Sequence, residues 1–448
     1  MIGIYMFFTA LIMLLVGFPV AFTFAGVALV FGIYSEGFAE GMEDGFIEHF
    51  MQGVGLFDMM PYRIYSIMEN TILMAIPLFI FMGIILQKTK LAEQLLESMG
   101  TLFGSVRGGL AISTILVGAL LAASTGVVGA SVVAMGVISL PVMLKYGYCK
   151  KLATGTICAS GTLGQIIPPS IVLIILGDVL GVAVGDLFKA AVMPGLILVG
   201  SYILYVLIVS HYNKDLAPAM PIEENLVKKE EVIKALKAII PPLSLIIMVL
   251  GSIFAGIATP TESSAVGGVG ALLLAVAYKQ FSLKVVRDAA LETVKITAMV
   301  FTILLGATAF SMVFTYTGGE ELVEEFMLSL PGEKWGFLIL VMLSILILGF
   351  FIDFVEITFI VIPIIYPIAQ MLGIDMVWFG ILIAMNLQTS FLTPPFGFAL
   401  FYLKGVAPKG VQTMDIYKGV MPFIAIQIGI LASIVAFPEF YGFSGFGD

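Results

Sequence analysis

A proline pair, Pro168-Pro169, lies inside a long uncharged stretch of the chain and follows a run of oxygen-bearing side chains. Ser160, Thr162 and Gln165 supply hydroxyl and amide oxygens there. Because proline has no N–H, a helix that reaches this pair leaves upstream carbonyls, around Leu163 to Gly164, without helical partners. Interrupted helices of this kind coordinate cations in secondary transporters. The alternative is a proline kink in a packing helix, which membrane proteins tolerate.

A second segment repeats this pattern before Pro394-Pro395. Its amide and hydroxyl groups belong to Asn386, Gln388, Thr389 and Ser390. Two such segments, both rich in oxygen donors, favour a pair of cation sites over two unrelated kinks. Because the donors are neutral oxygens without a dense carboxylate cage, the pattern suits Na⁺ better than Ca²⁺ or a transition metal.

Two further uncharged or nearly uncharged runs carry polar residues near their centres. In the first run these are Ser124, Thr125 and Gly126, and in the second they are Asp353 and Glu356. A carboxylate inside a membrane is costly and marks a functional site by default, either as a cation ligand or as a protonatable group. The alternative for both acidic residues is a water-exposed turn in which they cap the start of a helix.

The composition excludes a soluble globular protein. Of 448 residues 60% are hydrophobic and 11% are charged, and the mean hydropathy is +1.11. Several uncharged stretches exceed the roughly 20 residues that span a bilayer as a helix. The chain is therefore predicted to be an all-α polytopic membrane protein. A net charge of −9 argues against a nucleic-acid partner, and two cysteines do not make a disulfide framework.

The stretches 109–143 and 336–371 are too long for one crossing and are predicted to be re-entrant helical hairpins. The stretches 152–183 and 377–403 are predicted to be single crossings, each broken at its proline pair. This topology puts 17 of the 21 Lys and Arg residues on one side, which the positive-inside rule identifies as the cytoplasm. Hairpin 109–143 then enters from the cytoplasm and hairpin 336–371 from outside, with ten crossings and both chain ends outside.

The two halves also share an order of elements, which predicts inverted-topology repeats. A shift of 226 residues lays Pro168-Pro169 on Pro394-Pro395 and Pro141 on Pro367. The predicted units are a first repeat at 1–210, a cytoplasmic connecting segment at 211–237 and a second repeat at 238–448. The stretch 3–34 is expected to divide into two short crossings around Gly17-Phe18-Pro19. In the matching turn of the second half, Thr261 is the candidate N-cap.

The connecting segment contains an amphipathic stretch, Asn225–Ala238, that carries four lysines. A helix with this pattern is expected to lie along the cytoplasmic membrane surface, with its charges towards the lipid headgroups.

With these motifs in this order, the chain resembles the large membrane subunit of tripartite ATP-independent periplasmic (TRAP) transporters over essentially its full length. The motifs that carry the resemblance are Gly17-Phe18-Pro19-Val20-Ala21-Phe22, Gly164-Gln165-Ile166-Ile167-Pro168-Pro169-Ser170, Gly256-Ile257-Ala258-Thr259-Pro260-Thr261-Glu262, Asp353 and Thr393-Pro394-Pro395-Phe396-Gly397. The resemblance implies Na⁺-driven uptake of organic acids by an elevator-type movement in the bacterial inner membrane. It also implies two partners, a periplasmic substrate-binding protein and a small four-helix membrane subunit.

The resemblance further implies about two Na⁺ sites, one formed by the first hairpin tip with the Gly161–Pro168 break and the other by Asp353 with the Asn386–Pro394 break. The residues expected to bind Na⁺ are Ser124, Ser160, Gly161, Thr162, Gly164, Asp353, Asn386, Gln388, Thr389 and Ser390. Those expected to contact the substrate are Ser124, Thr125, Gly126, Ser170, Asp353 and Phe396. The first tip reads Ser-Thr-Gly-Val where the family has a Ser-rich tip, and Glu356 is not part of the family pattern.

Three other functions compete with this one. A stand-alone Na⁺/carboxylate symporter of related architecture would transport without a soluble receptor. A channel would show charged rings or a pore lined by repeated subunits. An intramembrane enzyme is disfavoured because neither a His-Glu-x-x-His helix nor a Gly-x-Ser-x-Gly elbow occurs in the sequence. None of the three arginines, Arg63, Arg107 and Arg287, lies mid-membrane, so the identity of the organic acid stays open.

Overall fold

The computed structural model describes residues 1–37, 46–89, 91–104, 106–125, 128–219 and 229–446. Every regular element within these ranges is a helix, and seven of the helices are long and apolar enough to cross a membrane. The prediction of an all-α polytopic membrane protein is confirmed.

Twenty-one α-helices follow one another along the described chain, with short 3₁₀ and π segments between some of them. The first half contains α1 (Ile2–Val16), α2 (Val20–Gly37), α3 (Phe46–Gly55), a 3₁₀ turn (Leu56–Met59), α4 (Met60–Glu69), α5 (Ala75–Lys88), α6 (Leu91–Phe103), α7 (Gly109–Thr125), α8 (Val128–Lys145), α9 (Lys150–Thr162), a 3₁₀ turn (Leu163–Gln165), α10 (Ile171–Val179) and α11 (Val184–Tyr212). The second half contains α12 (Lys229–Phe254), α13 (Pro260–Ala277), α14 (Leu283–Tyr316), α15 (Gly319–Leu328), α16 (Lys334–Leu348), α17 (Phe354–Glu356), a π-helix (Ile357–Val361), α18 (Ile362–Met371), α19 (Met376–Leu392), α20 (Phe398–Val406), α21 (Thr413–Ala436) and a 3₁₀ turn (Pro438–Tyr441).

The first apolar stretch is divided into two helices, as predicted. Gly17 ends α1 in the left-handed conformation, at a φ of 100°, which glycine adopts without steric cost. The start of α1 and the end of α2 lie at the same end of the bundle. A Cβ atom on Gly3 would lie 2.7 Å from Oγ1 of Thr317, and the hydroxyl of Tyr316 donates to the carboxylate of Glu36. Helices α1 and α2 are therefore antiparallel.

The positions of the helices recur at the spacing that the prolines suggest. Val128–Lys145 and Phe354–Met371 begin and end 226 residues apart, and so do the starts of α9 and α19. The 34-residue helix α14 corresponds to α4 and α5 together, which are interrupted between Glu69 and Ala75. The two halves thus share their element order, and the opposite orientation of the halves stays a prediction.

Two local predictions need correction. The N-cap of α13 is Thr259 and not Thr261, because Pro260 occupies the first helical position and Thr259 forms a capping box with Glu262. In the stretch predicted as a surface helix, residues 225–228 lie outside the described residues. From Lys229 onward the chain is part of α12, which continues without interruption to Phe254.

The two predicted hairpins are helix pairs whose first members are short. Helix α7 has 17 residues and α16 has 15, which at 1.5 Å per residue gives lengths of about 26 and 23 Å. Both fall short of the roughly 30 Å hydrocarbon core of a bilayer. These lengths suit helices that end within the membrane, and re-entry itself stays a prediction.

The first broken helix packs closely against α21 through two glycines. A Cβ atom on Gly155 would collide with the carbonyl oxygen of Gly419, and one on Gly419 would collide with the carbonyl oxygen of Lys151. Since both obstructing atoms belong to the backbone, a change of side-chain rotamer cannot make room for a larger residue at either position.

We expect Gly155→Ala to lower the melting temperature of the purified protein by several degrees, because overpacking of this kind costs roughly 1–3 kcal/mol. Gly200→Ala is the matched control, since a Cβ atom there meets nothing within 4 Å. A thermal-unfolding scan in detergent measures both variants. Equal melting temperatures would contradict the close approach of α9 and α21.

Candidate functional site

The first broken helix loses its regular hydrogen bonds at the predicted place. Helix α9 ends at Thr162, and α10 starts at Ile171 after a 3₁₀ turn and the cis-linked Pro168-Pro169 pair. The carbonyl of Leu163 is not free, contrary to expectation, because it accepts from the N–H groups of Ile166 and Ile167 at 3.1 and 2.9 Å. In a regular helix the carbonyl of Gly164 would accept from the N–H of residue 168. That residue is Pro168, which has no N–H to donate. Gly164 is therefore the better backbone ligand of the pair.

The second broken helix has the same design. Helix α19 ends at Leu392, Thr393 is extended, and the cis-linked Pro394-Pro395 pair precedes α20. The peptide N–H of Gly397 donates to the carbonyl of Thr393 at 3.0 Å. A Cβ atom on Gly397 would lie 2.6 Å from the carbonyl oxygen of Phe391. Only a glycine allows the chain to fold back over the end of α19 here.

The two breaks differ in exposure. Pro168, Pro169 and Ser170 are buried, and the hydroxyl of Ser170 donates to the carbonyl of Gln165 at 2.8 Å. In contrast, Pro395 is exposed and Phe396 is 45% exposed. Of the two residues predicted near the substrate in these breaks, Phe396 is accessible and Ser170 is enclosed in this conformation.

The first hairpin contacts the first broken helix at two of the predicted ligand positions. A Cβ atom on Gly118 of α7 would lie 2.5 Å from Cβ of Ser160. On α8, Val132 lies so close to the backbone of Gly161 that a Cβ atom on Gly161 would collide with its side chain. Ser160 and Gly161 are thus enclosed between the two hairpin helices and the break.

The second hairpin contacts the second broken helix in a corresponding way. The amide Nδ2 of Asn386 donates to the carbonyl of Met342 on α16 at 2.6 Å. At the end of α16, a Cβ atom on Gly349 would collide with the hydroxyl of Ser390. Ser160 and Asn386 are 226 residues apart, so the two halves use equivalent positions to join a hairpin to a broken helix.

The hydroxyls at the predicted ligand positions keep lone pairs for a cation. Each donates its hydrogen to a carbonyl of its own helix, at 2.7 to 3.1 Å. The residues are Ser160, Thr162, Thr389 and Ser390. Because a hydroxyl that donates its one hydrogen still has two lone pairs, these oxygens are acceptors that a cation can use.

Gln388 lies apart from this group. Its side chain is fully buried with both amide atoms unpaired, and it lies near the hydroxyl of Tyr202 on α11. That hydroxyl accepts from Nε2 of Gln427 at 2.8 Å. Gln388 follows Asn386 by two positions, so the two side chains point to opposite sides of α19. The structure does not bring Gln388 together with the second hairpin.

Asp353 and Glu356 both lie in the first turn after the second hairpin bend. Asp353 is the N-cap of α17, and its carboxylate accepts from the N–H of Phe354 at 2.6 Å. Glu356 is 5% exposed, and its Oε2 has no hydrogen-bond partner. The expected capping role of Asp353 is present, and the same carboxylate keeps acceptor capacity for a cation.

Two aromatic residues that were not predicted from the sequence, Phe351 and Tyr402, lie beside this turn. The rings of Phe351 and Phe396 are 5.2 Å apart, which brings the second hairpin bend against the second break. Tyr402 lies near Asp353, and a Cβ atom on Gly129 of the first hairpin would lie 2.9 Å from its ring. Tyr402 is thus the residue through which the start of α8 approaches the second bend. No local sequence signal marks this contact.

Three predicted site residues cannot be placed. Gly126 lies outside the described residues, and Ser124 and Thr125 end α7 with side chains that also lie outside the described part. In the described ranges no group of three or more His, Cys, Asp or Glu side chains could hold a metal ion. The candidate cation ligands in the described part of the chain are neutral oxygens together with the Asp353 and Glu356 carboxylates.

The chain is similar to known membrane transport proteins along most of its length. A family model described as "Tripartite ATP-independent periplasmic transporter, DctM component" matches residues 7–440. The C4-dicarboxylate TRAP transporter large permease protein DctM of Pseudomonas aeruginosa is 33% identical over 377 residues, which cover 84% of this chain and 86% of that protein. The isethionate TRAP transporter permease protein DctMQ of Oleidesulfovibrio alaskensis is 30% identical over 384 residues, covering 84% of this chain and 59% of that protein. The crystal structure of the Alcanivorax borkumensis YdaH transporter, which its authors describe as having an unusual topology, superposes with a TM-score of 0.61 at 13% identity and covers 99% of both chains.

Proposed function

Because the chain belongs to the DctM component family of tripartite ATP-independent periplasmic transporters, we propose that it is the large permease subunit of a Na⁺-coupled uptake system for a small organic acid. The family indicates a multi-pass membrane protein that takes up solute from a periplasmic binding protein and associates with a small membrane subunit. The finer parts of the proposal are the coupling ion, the substrate class and the type of movement.

The partners follow from the family and from one relative. The DctMQ relative is longer, and this chain covers 59% of it. We propose that this chain works together with a small four-helix membrane subunit in the bacterial inner membrane. Under the same proposal the substrate is an organic acid, as the words C4-dicarboxylate and isethionate in the names of the relatives suggest.

The observation that carries the Na⁺ proposal is the contact of each hairpin with a broken helix at its polar residues. Ser160 and Gly161 are enclosed by the first hairpin, and Asn386 and Ser390 contact the second. Na⁺ accepts neutral oxygens as ligands, and a break in a helix supplies them without burying a charge. The proposed first site consists of the first hairpin tip with Ser160, Gly161, Thr162 and Gly164. The second consists of Asp353 with Asn386, Thr389 and Ser390.

Anion recognition is proposed to depend on helix ends. Neither α10 nor α20 has a side-chain cap hydrogen bond at its start, so their first N–H groups remain available to a carboxylate. Phe396 and the exposed Pro395 precede α20. The three arginines lie outside the broken helices and hairpins. Selectivity among organic acids is therefore assigned mainly to the binding protein.

The elevator-type movement is proposed from the way the site is assembled. Each candidate site joins a hairpin to a broken helix through close backbone contacts, at Gly118 in one half and Gly349 in the other. A unit held together this tightly moves as a rigid body more readily than it opens. Transport would then displace both hairpins and both broken helices together relative to the remaining helices.

We expect reconstituted vesicles that contain this chain and its small subunit to take up organic acid only when Na⁺ and the binding protein are both present. The measurement is radiolabelled uptake into proteoliposomes, with K⁺ replacing Na⁺ as the ionic control. Uptake at full rate without the binding protein would instead establish a stand-alone Na⁺/carboxylate symporter. Uptake that is indifferent to Na⁺ would overturn the coupling.

A further inference from the structure

Asn70 interrupts a helix that is continuous in the other half of the chain. Helix α4 ends at Glu69 and α5 begins at Ala75, whereas the corresponding helix α14 runs unbroken for 34 residues. Asn70 has an extended backbone, with φ −70° and ψ 104°. Its side-chain oxygen accepts from the N–H groups of Ile72 and Leu73 at 2.9 and 3.4 Å. The side chain therefore caps the turn that leads into α5.

This turn is fixed to the helices around it. The hydroxyl of Thr261, in the first turn of α13, donates to the carbonyl of Thr71 at 2.7 Å. Helix α5 itself packs along α13 and α14, and it also contacts α7 of the first hairpin and α10. Asn70 thus belongs to a frame made of α5, α13 and α14, and its amide nitrogen is held in one direction.

The amide nitrogen of Asn70 reaches a carboxylate on a different part of the protein. Nδ2 donates to Oδ1 of Asp178 at 2.7 Å, across 108 residues of sequence. Asp178 lies in the last turn of α10, the helix that follows the first break. Helix α10 packs against α19 and against Phe354–Val361 of the second hairpin. The hydrogen bond therefore joins the frame to the group of elements that contains both candidate cation sites.

The position of Asp178 argues against a purely local role. A negative side chain at the C-terminal end of a helix is unfavourable, because the unpaired carbonyls there already carry partial negative charge. Among the described residues the only ion pair is Lys88–Glu292, so no described cation balances this carboxylate. Its side-chain partner is the amide of Asn70.

We propose that Asn70 and Asp178 form a latch that holds the conformation described here and opens when the hairpin-bearing elements move. Asn70 is a positioning residue: its oxygen maintains the turn before α5, and its nitrogen fixes the far end of α10. The latch rests on the proposed function for its role in transport, although its effect on conformation is measurable without transport. It predicts that repulsion between the two side chains shifts the protein towards its other conformation.

The sharpest test exchanges the two side chains. Asn70→Asp keeps a capping oxygen for Ile72 and Leu73 but places a carboxylate against Asp178. The double variant Asn70→Asp/Asp178→Asn restores a donor and an acceptor in the reversed order. All variants are made in a Cys149→Ser/Cys158→Ala background that carries Phe351→Cys in the second hairpin bend. The readout is the rate at which a membrane-impermeant maleimide modifies this cysteine.

We expect Asn70→Asp to change the modification rate roughly tenfold, since a hydrogen bond to a charged group is replaced by repulsion. The double variant should return the rate to within about twofold of the parent. Asp178→Asn alone should have a small effect, because the Asn70 amide can still donate to the new carbonyl. Uptake should fall in Asn70→Asp and recover in the double variant.

An unchanged rate in Asn70→Asp would overturn the latch, and so would a double variant that behaves like Asn70→Asp. If Asn70→Asp does not fold, Asn70→Ser keeps a capping oxygen but has no amide that reaches Asp178, and it must shift the rate in the same direction by a smaller factor. Absence of uptake in the parent protein would count against the proposed function. The labelling rates would still decide whether the latch exists.

Discussion

Asp353→Asn is expected to abolish Na⁺-dependent uptake while leaving the protein folded and inserted. Asparagine is as good an N-cap as aspartate, so it can still accept from the N–H of Phe354, as Asp353 does at 2.6 Å. What it lacks is the negative charge that a Na⁺ ion in the second site would meet. Because a carboxylate attracts a cation by its full charge and an amide only by its dipole, we expect uptake to fall by more than about tenfold at any attainable Na⁺ concentration.

The matched control is Asp375→Asn. Asp375 is the N-cap of α19, and its carboxylate accepts from the N–H groups of Val377 and Trp378 at 2.8 and 3.2 Å. It has the same capping role as Asp353, but it lies at the other end of α19 from the break. The Na⁺ dependence of uptake is measured for both variants in proteoliposomes. If Asp353→Asn has the half-saturation of the parent, Asp353 does not contribute to a cation site.

Asp353→Ala separates the two roles further. Loss of the cap alone costs about 1 kcal/mol, so this variant should also melt at a lower temperature than Asp353→Asn. If only the alanine variant lost uptake, the cap and not the charge would be what transport requires. In that outcome the carboxylate is structural and the second site depends on neutral oxygens.

The breaks were predictable from sequence because their cause is local. A proline pair removes two N–H groups wherever it stands, and both helices end within a few residues of Pro168 and Pro394. The division of the first stretch is equally local, since Gly17 and Pro19 together end one helix and start the next. The misassigned cap of α13 also had a local signal. Thr-Pro-x-Glu matches a capping box that begins at Thr259, with proline in the first helical position.

The partners of the site residues were not predictable, because they depend on packing between distant segments. Nothing near Tyr402 in the sequence indicates that its ring lies against Gly129. Gln388 shares a polar run with Asn386, yet it lies near Tyr202 because helical geometry turns it to the other side of α19. The 3₁₀ bonds that occupy the Leu163 carbonyl likewise depend on how the chain turns after α9.

Hydrogen bonds between helix ends show which ends of the helices lie together. Lys150 on α9 donates to the carbonyl of Gly410 at 2.7 Å, and the hydroxyl of Tyr278 donates to the carbonyl of Lys237 at 3.0 Å. Both pairs join segments that the distribution of positive charge assigns to the cytoplasm. Asn70, Asp178 and Thr261 come together at an end that the same distribution assigns to the outside.

Single cysteines at the two hairpin bends should be labelled from opposite sides of the membrane. In the Cys149→Ser/Cys158→Ala background, Thr125→Cys represents the first hairpin and Phe351→Cys the second. The positive-inside rule places the ends of hairpin 109–143 in the cytoplasm and those of hairpin 336–371 outside. A bend that dips partway into the membrane remains open to reagent on one side, so each cysteine should react with an impermeant maleimide from a different side.

The experiment compares right-side-out and inverted vesicles and reports an all-or-none difference for each position. Cysteines at Lys409 and Glu439, in connections predicted to be cytoplasmic and external, calibrate the two vesicle preparations. Labelling of both bends from one side would remove the inverted repeat, because two half-crossings that enter from the same face cannot be related by an axis in the membrane plane. It would also contradict the proposed mechanism. A cation bound between each hairpin and its broken helix can be exposed alternately to the two sides only if the hairpins approach it from opposite faces.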